Sequence, residues 1–386
     1  MAAPSPTLVE ASSVNKSAET GRDPSFDIAR GIGILFVLIH HWSGSAGRLF
    51  TEPKGTNSFA FKLLNSLTTF TVPTFLLISC ILAANSLAKD ASPLPFYRRR
   101  LPGLIYPLVV WTLIVWGLTL IQNPAARHLH NGIPMFFMHP LARLNDLLWG
   151  KAMFHFYFLA VLIQVMLIMP AFFYPPLRQA IVKLYERSKS HPSLISYAAV
   201  VTWLILQASF QALQHYVLKF PYPASLFIWY SSAWWLAVPM SLVYRSGESP
   251  FAKERMHFLP LFGFLAVITY LNTLFFPVAK GDWFTENANL AMYCGFASMF
   301  IVFLGTKLRD SKVQNPLVWL GRNSLQIYLI HPFLLELLGS SRVAHRLSIA
   351  GLGPLLELAL MVGGTLALVI GIKALKAERI LFGRAV

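Results

Sequence analysis

The sequence predicts an all-α membrane protein, a polytopic bundle of about ten transmembrane helices with both termini in the cytoplasm. Three observations lead to this prediction. The 386 residues are 55% hydrophobic and only 12% charged, whereas soluble domains carry about 25% charged residues. The apolar residues form continuous runs and not the alternating pattern of a membrane β-barrel. Lysine and arginine are also distributed unequally between alternate loops, as in polytopic membrane proteins.

Ten apolar segments come near the ~20 residues that a helix needs to cross a bilayer. They are 26–42, 64–86, 101–121, 153–173, 194–211, 225–244, 258–276, 288–305, 316–338 and 350–373. With the N-terminus inside, the inner side holds 21 of the 32 lysines and arginines, the outer side 10, and the first segment one. This bias predicts cytoplasmic termini. It also supports the count of ten, because one segment more or fewer would destroy the alternation.

The ends of the chain differ from its centre. Residues 1–24 are rich in Ser, Ala, Thr and Pro, which predicts a disordered cytoplasmic tail. A membrane domain is expected over 25–376, followed by a short cytoplasmic tail over 377–386. The net charge of +16 follows from the basic inner loops. Membrane lipid is therefore an expected partner and nucleic acid is not. Cys80 and Cys294 indicate neither a disulfide framework nor a metal site.

The first apolar segment carries an ionisable pair. Arg30 and His41 are eleven residues apart, which places them on one helix face roughly 16 Å apart. In a purely structural interpretation, Arg30 reaches the inner interface with its long side chain and His41 caps the outer end of the helix. A functional pair is the alternative, because ionisable residues inside a membrane mark sites. His41 can then exchange a proton near neutral pH, and Asp27 can orient Arg30.

A late apolar segment has a polar stripe. Ser324, Tyr328 and His331 follow i, i+4, i+7 spacing, so they share one helix face. The stripe indicates either hydrogen bonds between helices or the polar lining of a substrate channel. Pro332 would loosen the helix next to it.

Three further features are candidates. Arg98, Arg99 and Arg100 begin the third segment, where they would serve topology and lipid phosphate contact or bind a phosphorylated cytosolic cofactor. His155 opens the fourth segment among aromatic residues and is either an aromatic-belt residue or part of the site. Glu357 lies inside the last segment as either a structural carboxyl or a functional one.

Five segments, in order along the chain, resemble the acyltransferase 3 family of polytopic membrane acyltransferases. They are Asp27–His41, Val72–Ser79, Phe96–Trp111, His155–Pro170 and Gly321–His331. The first of these segments has the family's pattern of an Arg and a His separated by ten residues. The family often has an Arg-x-x-Arg pair at the start of the third span. Here Gly103 stands three residues after Arg100, so only the cluster Arg98–Arg100 carries over.

The resemblance implies a bacterial inner-membrane enzyme that O-acetylates a sugar of a cell-surface or secreted polysaccharide, with acetyl-CoA as co-substrate and no metal. The stand-alone form is similar to exopolysaccharide acetylases of the xanthan type. The acceptor is expected to be the polysaccharide or a lipid-linked oligosaccharide, and a polysaccharide assembly complex is a further expected partner. The residues themselves are compatible with acetyl, succinyl or another acyl group, and with more than one acceptor sugar.

A mechanism follows as a hypothesis. Arg30 or the cluster Arg98–Arg100 would hold the phosphates of acetyl-CoA, and the pantetheine arm would span the roughly 16 Å to His41. His41 would act as general base or acyl carrier, and Tyr328 or Asn323 would donate to the oxyanion. The substrate-lining residues are expected to be Ser324, His331, His155 and Glu357. A transporter or flippase for a lipid-linked sugar is the alternative, and a non-catalytic subunit of an export complex is a third.

Overall fold

A computed structural model of the chain describes residues 23–49, 56–130, 133–176, 179, 183, 192–230, 258–275, 283–340 and 353–383. Its α-helices there are α1 (Pro24–Leu49), α2 (Thr56–Leu67), α3 (Thr71–Lys89), α4 (Pro93–Arg100), α5 (Pro102–Gln122), α6 (Pro124–Arg127), α7 (Pro140–Leu148), α8 (Tyr157–Phe172), α9 (Pro192–Leu213), α10 (Phe258–Phe275), α11 (Trp283–Lys307), α12 (Gln314–Arg322), α13 (Ser324–Ser340), α14 (Gly353–Ala374) and α15 (Glu378–Phe382). Two-residue strands, β1 (Leu129–His130) and β2 (Ile133–Pro134), pair antiparallel. The predicted helical class is confirmed.

Five stretches of the described residues are long and apolar enough to cross a membrane. They are Phe59–Lys89, Pro93–Gln122, Phe258–Phe275, Asn289–Lys307 and Gly353–Ala374. Shorter apolar helices cover Tyr157–Phe172 and Ser324–Leu338. Ten spans and cytoplasmic termini therefore stay predictions. Most of the predicted segment 225–244, and residues 1–22 and 384–386 of the predicted tails, lie outside the described residues.

Helix α1 occupies the centre of the bundle. It packs against α2, α3, α11, α12, α13 and α14, and most of its residues are buried. Its polar side chains Asp27, Ser43 and Ser45 are buried as well. These contacts explain why the helix that carries Arg30 and His41 is more polar than a lipid-facing span: its neighbours are other helices and cavities rather than lipid.

Two glycines bring α12 unusually close to α1. A Cβ added to Gly31 would overlap the carbonyl oxygen of Leu317, and a Cβ added to Gly321 would overlap the carbonyl oxygen of Asp27. Small residues allow such backbone approach between membrane helices. The seam places the end of α12 directly beside the start of α1.

A short break after α12 positions the polar stripe. Helix α12 ends at Arg322 and α13 begins at Ser324, so the chain changes helix within one residue. Helix α13 packs on α1 and α14. Its Tyr328 contacts Phe158 of α8 edge to face, with ring centroids 5.3 Å apart. The turn before α8 carries His155 into the same region.

Candidate functional site

A cavity of about 630 Å³, here termed the arginine cavity, opens where α1, α4, α5, α8 and α12 meet. Its wall includes four arginines, Arg30, Arg99, Arg100 and Arg322, together with Ser324. Aromatic rings from Phe75, Phe158, Tyr328 and Phe382 complete the wall. Guanidinium groups bind phosphate in a bidentate manner, so this cavity suits a phosphorylated ligand.

A buried carboxylate holds two of these arginines. The side chain of Asp27 is 1% exposed, and its two oxygens lie 3.9 Å from Nη1 of Arg30 and 3.5 Å from Nε of Arg322. A buried carboxylate needs such partners to offset its desolvation. Asp27 therefore orients one arginine of its own helix and one from α12.

The arginine cluster at α4 divides between the cavity and the exterior. Arg99 and Arg100 line the cavity, whereas the exposed Arg98 is not part of its wall. Nη2 of Arg100 donates to the carbonyl of Leu82 at 3.3 Å, and Arg99 lies 4.0 Å from Asp90. Hydrogen bonds from Ser92 lower the pKa of Asp90, and the charge of Arg99 acts in the same direction.

A second cavity, of about 220 Å³ and termed here the histidine cavity, lies at the other part of α1. His40, His41 and His155 belong to its wall, as does Tyr328. The ring of His41 lies 5.2 Å from that of His40 and 5.2 Å from that of His331, measured between centroids. Imidazoles that border a cavity can accept and return protons there.

His331 lies behind His41 and not in the wall of the histidine cavity. Its Nδ1 is 3.0 Å from the carbonyl oxygen of Ile327, so this nitrogen is the donor and Nε2 is the acceptor. Nε2 is buried and has no hydrogen-bond partner among the described residues. His331 thus contacts the ring of His41 and borders neither cavity, and its predicted role as a substrate-lining residue stays a prediction.

Tyr328 is common to both cavities. Its ring borders the arginine cavity and the histidine cavity, and its hydroxyl donates to the backbone carbonyl of His155. The ring also contacts that of His155, with centroids 5.1 Å apart. The two cavities thus share a wall at this side chain.

Two predicted site residues lie elsewhere. Asn323 precedes His331 by eight residues, about 12 Å along a helix, and its amide donates to the carbonyl of Trp319 at 2.7 Å. It borders neither cavity, and its predicted role as an oxyanion donor stays a prediction. Glu357 accepts a hydrogen bond of 2.8 Å from Ser45 and joins α14 to α1 outside both walls.

Several residues that border the cavities were not among the predicted site residues. Nδ1 of His40 lies 3.0 Å from the carbonyl oxygen of Asn65 and 3.0 Å from the hydroxyl of Thr68, and His40 borders the histidine cavity although it points about 80° away from Arg30 around an ideal helix. Gln207 lies in the wall as well and donates to the carbonyl of Trp229. A glutamine inside an apolar segment was the available signal for it. Arg322 lies within Gly321–His331, one of the five segments of the family resemblance.

The arrangement places a cavity lined by arginines beside a cavity lined by histidines. In the part of the chain that the structure describes, no group of three or more His, Cys, Asp or Glu is placed to hold a metal ion. Cys80 and Cys294 are buried free thiols. The arginines of one cavity can bind phosphate, and the histidines of the other can act in general acid–base catalysis.

Comparisons with known proteins agree with the motifs. No curated protein and no solved structure matches the chain significantly. A family model described as an acyltransferase domain matches residues 23–374, which is nearly the whole chain and includes both cavities. The chain therefore belongs to the acyltransferase 3 family and is a membrane acyltransferase.

Proposed function

We propose that the chain is an O-acetyltransferase of the bacterial inner membrane. It moves acetyl from cytosolic acetyl-CoA to a sugar hydroxyl of a cell-surface or secreted polysaccharide, or of its lipid-linked precursor. The observation that carries the proposal is the shared wall at Tyr328, because it places a cavity for phosphates beside a cavity with imidazoles. The proposed product class is an acetylated exopolysaccharide of the xanthan type. The proposed topology has ten spans with cytoplasmic termini. A polysaccharide assembly complex is a proposed partner.

The donor binds first in this proposal. The phosphates of acetyl-CoA contact Arg30, Arg99 and Arg100, and the pantetheine arm extends along α1 towards His41. The roughly 16 Å between residues 30 and 41 of a helix is of the order of the length of this arm. To reach the histidine cavity, the arm passes Tyr328, whose ring turns away from the carbonyl of His155.

The acceptor binds in the histidine cavity. His41 removes the proton of the sugar hydroxyl while its oxygen attacks the thioester carbonyl, a step that general base catalysis accelerates about 10²–10⁴-fold. The hydroxyl of Tyr328, released from His155, donates to the tetrahedral oxyanion. The carbon–sulfur bond then breaks, the proton of His41 passes to the departing thiolate, and the products are an acetyl ester and coenzyme A. An acyl-histidine intermediate at His41 would use the same residues.

The test follows the acetyl group. Purified protein is supplied with acetyl-CoA labelled in the acetyl group and with polysaccharide from a host that lacks this chain. An acetyltransferase moves the label to the sugar or to water, whereas a flippase leaves it on coenzyme A. NMR of the host polysaccharide with and without the chain then identifies the acetylated hydroxyl. Label that stays on coenzyme A with every acceptor tried would contradict the proposal.

A further inference from the structure

We propose that Arg322, at the end of α12, is a phosphate-binding residue of the arginine cavity and that Asp27 positions it. This inference rests on the proposed use of acetyl-CoA. Arg322 borders the cavity together with Arg30, Arg99 and Arg100. It comes from a different part of the chain, about 220 residues after Arg99 and Arg100 and about 290 after Arg30, and it borders the cavity from the side of α12.

The contact with Asp27 leaves the binding end of Arg322 available. Nε of Arg322 faces Oδ2 of Asp27 at 3.5 Å, and among the described residues the hydrogen bond of this side chain is made by Nε and not by its two Nη atoms. The side chain is 56% exposed although its carboxylate partner is 1% exposed. A guanidinium fixed through Nε presents its two amino groups as a pair, which matches two oxygens of one phosphate.

The backbone fixes the place of this arginine. Gly321, the preceding residue, lies so close to the carbonyl of Asp27 that no side chain fits between them. Residue 322 is therefore held at the rim of the cavity by the seam between α12 and α1. A preformed position lowers the entropy lost when a ligand binds.

The charges indicate the class of ligand. The ion pairs described at the cavity join its arginines to two carboxylates, Asp27 and Asp90. Among the described residues that line the cavity, four are arginines and none carries a carboxylate, which leaves an excess of positive charge in the wall. A ligand with at least two negative charges, such as a nucleotide diphosphate carrier, offsets this excess, whereas a neutral thioester does not.

The experiment compares two acetyl donors that differ in their phosphates, acetyl-CoA and S-acetylpantetheine. Arg322→Gln should raise KM for acetyl-CoA about 10- to 100-fold, leave kcat unchanged and leave KM for S-acetylpantetheine unchanged. Arg322→Lys keeps the charge without the paired donors and should have an intermediate effect. Arg309→Gln, in an exposed position outside both cavities, is the matched control and should behave as wild type.

Each outcome separates this inference from the proposed function. If Arg322→Gln impairs both donors equally, or neither, Arg322 does not bind phosphate and the inference is wrong. If the wild-type protein transfers acetyl from neither donor, the proposed function fails, and calorimetry with coenzyme A alone still tests Arg322. KM and kcat are calculated from the concentration of folded protein, which gel filtration determines. Should Arg322→Gln not fold, Arg322→Lys compared between the two donors decides the question.

Discussion

The two cavities along α1 differ in what their walls can do. The arginine cavity is the larger, at about 630 Å³ against 220 Å³, and its four guanidinium groups keep their charge at any physiological pH. The histidine cavity has imidazoles, which can accept a proton from a reacting group and return it. One wall is thus suited to hold a ligand by charge, and the other to transform one by proton exchange.

The difference explains why a single helix carries both an arginine and a histidine. Binding energy from the remote part of a substrate is useful when it places the reacting part correctly. In the proposed enzyme, the phosphates supply that energy in one cavity and the thioester reacts in the other. Changes in the histidine cavity should then affect kcat, and changes in the arginine cavity should affect KM for the donor.

The largest expected effect is at His41. His41→Ala removes the proposed base and should lower kcat by about 10²–10⁴-fold, with little change in KM for acetyl-CoA. The measurement is transfer of labelled acetyl by purified protein. His128→Ala, which changes an exposed histidine outside both cavities, is the control. Equal rates for wild type and a folded His41→Ala protein would remove His41 from the mechanism.

The next effect is at Tyr328, the shared wall. Tyr328→Phe keeps the ring but removes the hydroxyl that donates to His155. Loss of an oxyanion donor should lower kcat by about 10²-fold, and KM for coenzyme A derivatives should stay the same. Tyr270→Phe, which removes a hydroxyl bonded to Leu63 away from both cavities, serves for comparison. A changed KM with unchanged kcat would assign Tyr328 to donor binding alone.

A change at the seam between α1 and α12 tests whether the arginine cavity depends on close backbone packing. Gly321→Ala places a methyl group against the carbonyl of Asp27 and should destabilise the protein by about 1–3 kcal/mol. Gly117→Ala is the matched control, because a Cβ there meets nothing within 4 Å and a helix gains about 0.5–1 kcal/mol from it. Thermal unfolding in detergent should show the two melting temperatures moving in opposite directions.

The smallest effect is expected at Arg30. Arg30→Gln leaves three arginines in the cavity and should raise KM for acetyl-CoA about tenfold, with kcat within about twofold of wild type. Added salt should raise the wild-type KM as well, since it screens exposed charges. Steady-state kinetics at two ionic strengths measure both. An unchanged KM would assign Arg30 to structure through its contact with Asp27.

Much of the architecture was predictable from patterns of apolar residues. Continuous apolar runs predicted helices, and five described stretches are long enough to span a membrane. Helical spacing also placed Ser324 and Tyr328 on the face that borders the arginine cavity. These features depend on local periodicity, which the sequence expresses directly.

Contacts between distant parts of the chain were not predictable in this way. Arg322 reaches Asp27 because two glycines let α12 approach α1. Local sequence patterns do not predict which helices pack together. His40 and His41 point in different directions around α1, and both border the histidine cavity because the cavity is wider than one helix face. Asn323 and Glu357 border neither cavity, and their hydrogen bonds join them to Trp319 and Ser45.

The position of the arginines, away from the imidazoles, has a consequence for turnover. Coenzyme A keeps every phosphate of acetyl-CoA, so the arginine cavity would bind both molecules with similar affinity. Free coenzyme A would then compete with its acetylated form for the same place. In the proposed enzyme, acetylation of polysaccharide would follow the ratio of the two forms in the cytosol, linking the cell surface to the supply of activated acetate.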